Sequence, residues 1–411
     1  MADIKENSKF DMNPLIPVEE ALQRLLGDVK VNCATQQVSL NAALNRVLAE
    51  QTVSLVDVPP QDNSSMDGYA VALASLNGTE QTILPLSQRI AAGHAPQPLI
   101  AGSVARIFTG AEVPVGADAV IIQEQVSVDD KGVHLPANVE YRQNIRPRGQ
   151  DFSAGELLHR VGKKLQPADI GVLASAGISQ VCVYQPLKIA IFSTGDELVE
   201  PGDPLGAGKI YNSNRAMLNA LIQQLGMQVV DLGKVADTLE ATQQALQKAA
   251  QSADLIISTG GVSVGEEDHI KSAVDALGEL HMWRIKVKPG KPLAYGRVLG
   301  KPIFGLPGNP ASALITFSLF ARPYLVKLQG GSIQKTLSFK VIADFERPTA
   351  GNREEYLRGV YDEGKVTPFS NQSSGMLSTA SGANGLVVIP VDTVVKLGDL
   401  VDFVPFSALF S

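Results

Sequence analysis

The chain has 411 residues, too many for one ordinary hydrophobic core, and the length predicts roughly two to four domains. Hydrophobic residues make up 45% and charged residues 19%, a globular composition that excludes collagen, coiled coil and extensive disorder. The net charge of −7 argues against a nucleic-acid partner, and no run of eighteen apolar residues or apolar leader segment is present, so no membrane span is expected and a cytoplasmic location is predicted.

Residues 14–50 read as helix, loop and helix. Pro17-Val18-Glu19-Glu20 opens the first, with Ala21, Leu22, Leu25 and Leu26 at helical spacing, and residues 40–48 repeat the pattern. Cys33 and Cys182 lie far apart without a CxxC pair and read as inert buried thiols, and the five histidines lack zinc-type spacing. Residues 52–145 carry short β-type runs, such as 103–108 and 119–123, separated by Gly, Pro and Asp. Residues 146–180 return to a mixed texture ending in a helical stretch at 167–176. That return suggests a β-rich unit inserted into a helical linker.

Residues 186–330 alternate strand and helix. The apolar run 187–193 ends at Thr194-Gly195-Asp196. A helix follows from about Asn212, with Met217, Leu218, Leu221, Ile222 and Leu225 on one stripe and Gly226 as its stop. A strand at 228–232 precedes Asp237-Thr238-Leu239-Glu240, a capping-box pattern that starts another helix. The strand at 254–258 ends at Thr259-Gly260-Gly261, and a further helix runs to about Leu277. Such alternation means βαβ units and a mainly parallel sheet. Three β runs, 282–287, 292–297 and 302–306, then suggest an up-down-up meander, and a helix over 310–327 closes the unit. Residues 336–406 are short strands with polar turns and predict a small β-barrel.

The expected fold class is therefore multidomain α/β and β: a mainly parallel, three-layer α/β domain (183–330), an inserted β-rich domain (53–145), a helical linker domain (14–52 plus 146–182) and a C-terminal small β-barrel (331–411).

Ligands of open parallel sheets bind beyond the carboxyl ends of the strands. Those ends here carry Thr194, Gly195 and Glu197, then Asp237, then Gly260, Gly261, Glu266, Glu267 and Asp268. In the meander they carry Lys288, Lys291 and the Pro307-Gly308-Asn309-Pro310 loop. Glycines let backbone N–H groups approach a phosphate, and the following helix adds positive partial charge. The lysines can neutralise anionic oxygens. The acids become useful to an anion if they hold a hard cation such as Mg²⁺. Ordinary readings stand beside these: Asp237 as an N-cap, Lys288 and Lys291 as solvated turn residues, and Asn309 and Pro310 as N-cap and first helical residue.

Six strings together carry a resemblance. They are Asp62-Asn63-Ser64-Ser65-Met66-Asp67-Gly68-Tyr69-Ala70, Thr109-Gly110-Ala111, Ser193-Thr194-Gly195-Asp196-Glu197-Leu198, Ser258-Thr259-Gly260-Gly261-Val262-Ser263-Val264-Gly265, Lys288-Pro289-Gly290-Lys291-Pro292 and Gly305-Leu306-Pro307-Gly308-Asn309-Pro310. From about residue 14 to its end the chain resembles the molybdopterin molybdenumtransferases, the MoeA family, and the E domain of gephyrin.

The resemblance implies a reaction in which adenylylated molybdopterin and molybdate give molybdenum-bound molybdopterin and AMP, with Mg²⁺ as cofactor. It implies an elongated homodimer whose cleft is shared between the α/β domain of one subunit and the inserted domain of the other. Asp67 and Thr109 match cleft-lining positions, and Asp151 a further polar one that reads equally as a loop ion pair. Glu197, Asp237 and Asp268 match the acids around phosphate, nucleotide and metal. Thr194, Gly195, Gly260, Gly261 and Ser263 belong to the phosphate-side strings, Lys288 and Lys291 are the expected anion-binding cations, and Pro307 and Pro310 shape their loop. Arg284 stands where bacterial members carry lysine, which replaces a point donor by a planar fork. The family also makes the molybdopterin adenylyltransferase a candidate partner. Two rival functions remain open: that adenylyltransferase activity, whose enzymes have a similar but solitary and much shorter α/β domain, and a gephyrin-like scaffold.

Overall fold

The computed structural model describes residues 15–260, 269–290 and 292–410. Its largest sheet has six strands: β1 (Lys188–Thr194), β2 (Gln228–Val235), β3 (Leu255–Thr259), β4 (Gly278–Arg284), β5 (Pro292–Val298) and β6 (Lys301–Leu306). Their order is β2-β1-β3-β6-β5-β4. Strands β2, β1, β3 and β6 run parallel, and β5 is antiparallel to both of its neighbours. The meander is therefore present, and β4 points the same way as β6.

Alternation along β1 divides the core into two layers. Ile189 and Ile191 face Leu218, Leu221 and Ile222 of the Ser213–Gln224 helix, together with Phe317 and Leu325. Ala190 and Phe192 face Leu246 and Ala249 of the Leu239–Ser252 helix and Ile270 and Val274 of the His269–Leu277 helix. A strand buried on both faces reads as the continuous apolar run seen in the sequence. The final helical stretch is longer than a simple α-helix: Pro310–Thr316 and Arg322–Leu328 flank a π-helical segment at Phe317–Ala321. Pro323 has no N–H to return to the preceding turn, which accounts for a break in regular α-helical bonding at that point.

The β-rich segment contains a four-stranded sheet made of Leu86–Ile90, Val104–Ile107, Gly68–Val71 and Ala119–Ile122, and a three-stranded one made of Thr82–Leu84, Gly132–Leu135 and Ser127–Asp129. The flanking chain pairs with itself around it. Thr35–Ser39 runs antiparallel to Gln180–Tyr184, and Thr52–Val53 pairs with Leu157–His159. At the C-terminal end, Glu354–Asp362, Lys365–Pro368, Phe339–Ala343, Leu400–Pro405 and Gly385–Ile389 pair in a circle, closing a five-stranded barrel around Val341, Val366, Val387 and Phe403. Among the described residues no helix is long and apolar enough to cross a membrane. Cys33 and Cys182 are free, and burial raises both thiols, that of Cys33 to about 11.

Three local expectations are overturned. The helix expected over 40–48 is only a single 3-10 turn, Leu40–Ala42. Leu40, Leu48 and Ala49 instead donate backbone hydrogen bonds to Ser179, Lys163 and Cys182, and Asn45 is left-handed at φ 62°. Ala43 and Leu48 are buried against Leu165, Leu173, Val181 and Val183, so non-local pairing outweighs a helical spacing too short to stand alone. The run 282–287 also divides. Strand β4 ends at Arg284, whereas Val287–Lys288 leaves the sheet and pairs with the Glu354–Asp362 strand of the barrel. Thirdly, the N-cap of the Leu239–Ser252 helix is Thr238, whose hydroxyl accepts from the Ala241 amide at 3.3 Å. Asp237 lies one residue outside the cap, and its carboxylate has no hydrogen-bond or ion-pair partner among the described residues.

The last difference is measurable. Thr238→Ala is expected to cost about 1 kcal/mol in urea unfolding, and Asp237→Ala less than about 0.5 kcal/mol. Equal losses would return Asp237 to the capping role.

Candidate functional site

The carboxyl ends of β1, β3 and β6 lie side by side, with Ser193 opposite Thr259 and Thr259 opposite Leu306. The chain passes from β1 to β2 on one side and reaches β3 on the other, so the β1/β3 boundary is where the strand order reverses, the usual ligand crevice of an open α/β sheet. Buried polar contacts tie the loops there. The Ser193 hydroxyl lies 2.7 Å from that of Thr259 and donates to Asn212 Oδ1 at 3.3 Å. Asn212 is buried and N-caps the Ser213–Gln224 helix by accepting from the Arg215 amide. Asn214, also buried, donates to the Gly308 carbonyl at 2.7 Å. One helix N-terminus thus holds both the β1 end and the loop after β6.

Glycine makes the close approach possible. Gly260 has φ +84°, and a Cβ there would stand 2.5 Å from the Thr194 carbonyl oxygen. A Cβ on Gly195, φ +142°, would lie 2.6 Å from Glu197 Oε2, so the Glu197 carboxylate folds back over that glycine. Gly308 faces Gly260, with 3.8 Å between a Cβ built on the former and the Cα of the latter. Thr194, Gly195, Glu197, Gly260 and the Pro307–Pro310 loop are therefore assembled at one rim. Thr194 and Pro307 are buried, Pro310 is half-buried and Glu197 is exposed. Pro310 opens its helix as expected, but Asn309 makes no side-chain cap.

The loop that bears Glu197 is pinned by residues that sequence reasoning missed. Lys209 Nζ donates to the Asp196 carbonyl at 2.8 Å, and Lys234 Nζ to the Leu198 carbonyl at 2.9 Å. Arg215, on the capped helix, pairs with both Glu200 and Asp231 and links that loop to β2. Only a helix start near Asn212 was legible beforehand; the lysine contacts join positions separated by 13 and 36 residues. The same rim therefore carries the exposed Glu197 carboxylate and two lysine ammoniums, and the loop after β2 carries the Asp237 carboxylate.

Lys288 is paired with a carboxylate. It is half-exposed on the barrel side and donates to Glu355 Oε1 at 2.9 Å. Glu355 is almost fully buried and also takes Arg347 at 2.6 Å. Arg284 ends β4 half-buried, and its carbonyl accepts from the Ile16 amide. Gly261, Ser263, Asp268 and Lys291 lie outside the described residues.

On the inserted sheet, Asp67 and Thr109 are brought into direct contact. The Thr109 amide and hydroxyl both donate to Asp67 Oδ1, each at 2.8 Å. These bonds, backbone first, hold the Asp67 carboxyl below the usual carboxylate range. Asp151 is exposed and takes no loop ion pair among the described residues; the neighbouring pairs are Arg148–Asp57 and Arg142–Asp62.

Hard oxygen donors suit a divalent cation, and Glu197 and Asp237 supply two. Among the described residues no group of three or more His, Cys, Asp or Glu side chains is assembled as a metal cage. Mg²⁺ commonly binds through one or two carboxylates with water and phosphate completing its shell, so the donor set fits that ion.

Three family models match the chain in order: the MoeA N-terminal region, domains I and II, over residues 16–177; a probable molybdopterin binding domain over 190–327; and the MoeA C-terminal region, domain IV, over 340–406. A molybdopterin molybdenumtransferase of Haemophilus influenzae is 37% identical over 406 residues, covering 96% of this chain and 100% of that protein. One from a Nostoc species is 36% identical, covering 89% and 87%. A crystal structure of the molybdopterin biosynthesis MoeA protein of Pyrococcus horikoshii superposes with a TM-score of 0.84 at 30% identity, covering 95% of this chain and 100% of that one.

Two measurements probe this geometry. Gly260→Ala combines a left-handed backbone with a 2.5 Å collision, so it is expected to lower stability by at least about 1 kcal/mol in urea unfolding and to abolish ligand binding at the rim. Asp67 has a depressed folded pKa, so its contribution is present above the unfolded value of about 3.9 and is lost only as pH falls through the lower folded value. A carboxyl NMR titration in which Asp67 titrates at or above the ordinary Asp value would contradict this.

Proposed function

The chain belongs to the MoeA family of molybdopterin molybdenumtransferases, and from that membership we infer that it is a transferase of molybdenum cofactor biosynthesis, inserting molybdate into adenylylated molybdopterin with release of AMP. The observation that carries this reading to particular residues is the convergence of Thr194, Gly195, Glu197, Gly260 and the Pro307–Pro310 loop at the β1/β3 switch point. Glycine backbones and a capped helix beside it offer N–H donors to a phosphate.

The residues divide by chemistry. Glu197 and Asp237, with Asp268, are proposed to hold Mg²⁺, which when bound neutralises phosphate charge. Gly260, Gly261 and Ser263 are assigned to the pterin phosphate and nucleotide, with Thr194 and Gly195 shaping the floor. Lys291, Arg284 and Lys288 are assigned to molybdate, Lys288 sharing its ammonium with Glu355, since three donors exceed what one carboxylate oxygen needs. Water or a molybdate oxygen attacks the adenylyl phosphorus. The P–O bond to the pterin phosphate breaks, AMP leaves, and the two dithiol sulfurs bond to molybdenum while their two protons leave with one oxo ligand as water. No protein nucleophile is required, which agrees with two thiols that burial holds protonated.

Asp67, Thr109 and Asp151 are proposed to line the opposite wall of the cleft from the partner subunit of a homodimer, in the division 14–52 plus 146–182, 53–145, 183–330 and 331–411. The protein is proposed to act in the cytoplasm and to receive its substrate from the molybdopterin adenylyltransferase, whose product is this substrate.

Purified protein supplied with adenylylated molybdopterin, molybdate and Mg²⁺ is expected to release AMP, and Asp237→Asn or Glu197→Gln to lower kcat/KM by roughly a hundredfold. Consumption of ATP with free molybdopterin, and no AMP from the adenylylated form, would be the adenylyltransferase result and would refute the assignment.

A further inference from the structure

Asp67 is held by a network centred on a residue with no assigned part. In the four-stranded inserted sheet, Arg106 stands opposite Tyr69 on one neighbouring strand and Arg89 on the other. Its guanidinium lies 5.0 Å from the centroid of the Tyr69 ring and 4.8 Å from that of Phe108, and Arg89 lies 4.5 Å from the Phe108 ring. Arg106 is thus held between two aromatic rings on strands that lead out of Gly68 and into Thr109. Its two terminal nitrogens are committed: Nη1 donates to the Gly68 carbonyl at 3.2 Å, and Nη2 to the side-chain carbonyl of Gln123. The Gln123 backbone N–H in turn donates to the Asp67 backbone carbonyl at 3.0 Å. Thr109, the residue after Phe108, gives Asp67 Oδ1 its two donors. Among the described residues, every hydrogen bond accepted by Asp67 therefore starts on Thr109 or Gln123, and Arg106 touches the neighbour of the first and the side chain of the second. Asp67 Oδ2 has no partner among the described residues and is left for a ligand.

We propose that Arg106 is the positioning residue for Asp67 in molybdenum insertion, fixing the direction of the free Oδ2 rather than binding the anionic substrate itself. The proposal rests on the reading of Asp67 as a cleft residue. Its physical basis is the planar fork of arginine, which bonds two carbonyls while lying against aromatic faces; lysine offers one point charge and cannot do both. A guanidinium beside the carboxylate also favours its ionised form, in line with the lowered Asp67 value, to which Arg106 contributes after the Thr109 bonds.

The test is a double-mutant cycle on AMP release by the full-length enzyme, with Arg106→Met, Asp67→Asn and both together. Arg106→Lys is the variant that keeps charge and fold if the methionine form does not fold. Arg106→Met and Arg106→Lys are each expected to lower kcat by about ten- to a hundredfold with the molybdate KM unchanged. Carboxyl NMR is expected to show Asp67 titrating at higher pH in Arg106→Met. Either substitution at Arg106 added to Asp67→Asn is expected to cost less than about twofold more, because the two act as one unit. Full additivity in the double mutant, or a raised KM with kcat intact, makes Arg106 an independent substrate ligand and overturns the proposal while leaving Asp67 in place. Wild-type rates from Asp67→Asn would instead defeat the cleft reading of Asp67, and the role of Arg106 in the reaction with it.

Discussion

The backbone of Gly260 lies against the Thr194 carbonyl oxygen, closer than any residue with a Cβ allows, and the site depends on that contact. Through it the end of β3 reaches the end of β1, and Gly308 brings the loop after β6 against the same glycine. Hydrogen bonds from two hydroxyls and two buried asparagines tie the strand ends and loops together across this junction. A buried amide left without a partner costs on the order of 1–3 kcal/mol, so these side chains are as much a condition of the junction as the glycines are. The rim that results exposes Glu197 above a hydrogen-bonded floor, and such pre-organisation matters because charge stabilisation falls away when donors must reorganise.

A second junction couples this sheet to the barrel. Val287–Lys288 leaves the α/β sheet to pair with the Glu354–Asp362 strand, and Glu355 receives both Lys288 and Arg347 in an almost fully buried setting. Stripping a buried carboxylate of its partners costs about 3–5 kcal/mol, which makes Glu355 an anchor for Lys288. The Ala311 amide, at the start of the helix that follows the Pro307–Pro310 loop, donates to the Ser374 carbonyl of the barrel side at 2.9 Å. The barrel thus fixes two elements of the candidate site while supplying few of its functional groups.

Much of this was legible in the chain. The β1 and β3 runs are apolar on both faces, and the periodicity switches between strand and helix mark each βαβ unit. The glycine turns after β1 and β3 were identifiable because a left-handed backbone admits little else. Legibility ended where the decisive partner was remote in sequence. Residues 40–48 have helical spacing, yet the amides of Leu40, Asn45 and Leu48 are taken by residues more than a hundred positions away. Asp237 and Thr238 are both good caps, and the register of the first turn chose the threonine. Lys288 reads as a free cation beside a Pro-Gly turn until Glu355, 67 positions on, is placed against it.

Sequence alone determined the family, the βαβ alternation of the α/β region and the chemical kinds of group available: carboxylates, ammoniums and glycine backbones. These depend on local propensity, periodicity and motif strings, which are properties of neighbouring residues. Tertiary structure alone decided which of those groups stand free and which are spent on one another. It left Asp237 without a partner among the described residues, folded Glu197 back over Gly195, tied Lys288 to Glu355 and set Arg106 behind Asp67. The physical reason is that a hydrogen bond or ion pair is settled by distances of about 3 Å, and such distances between remote residues exist only once sheets have paired and helices have packed.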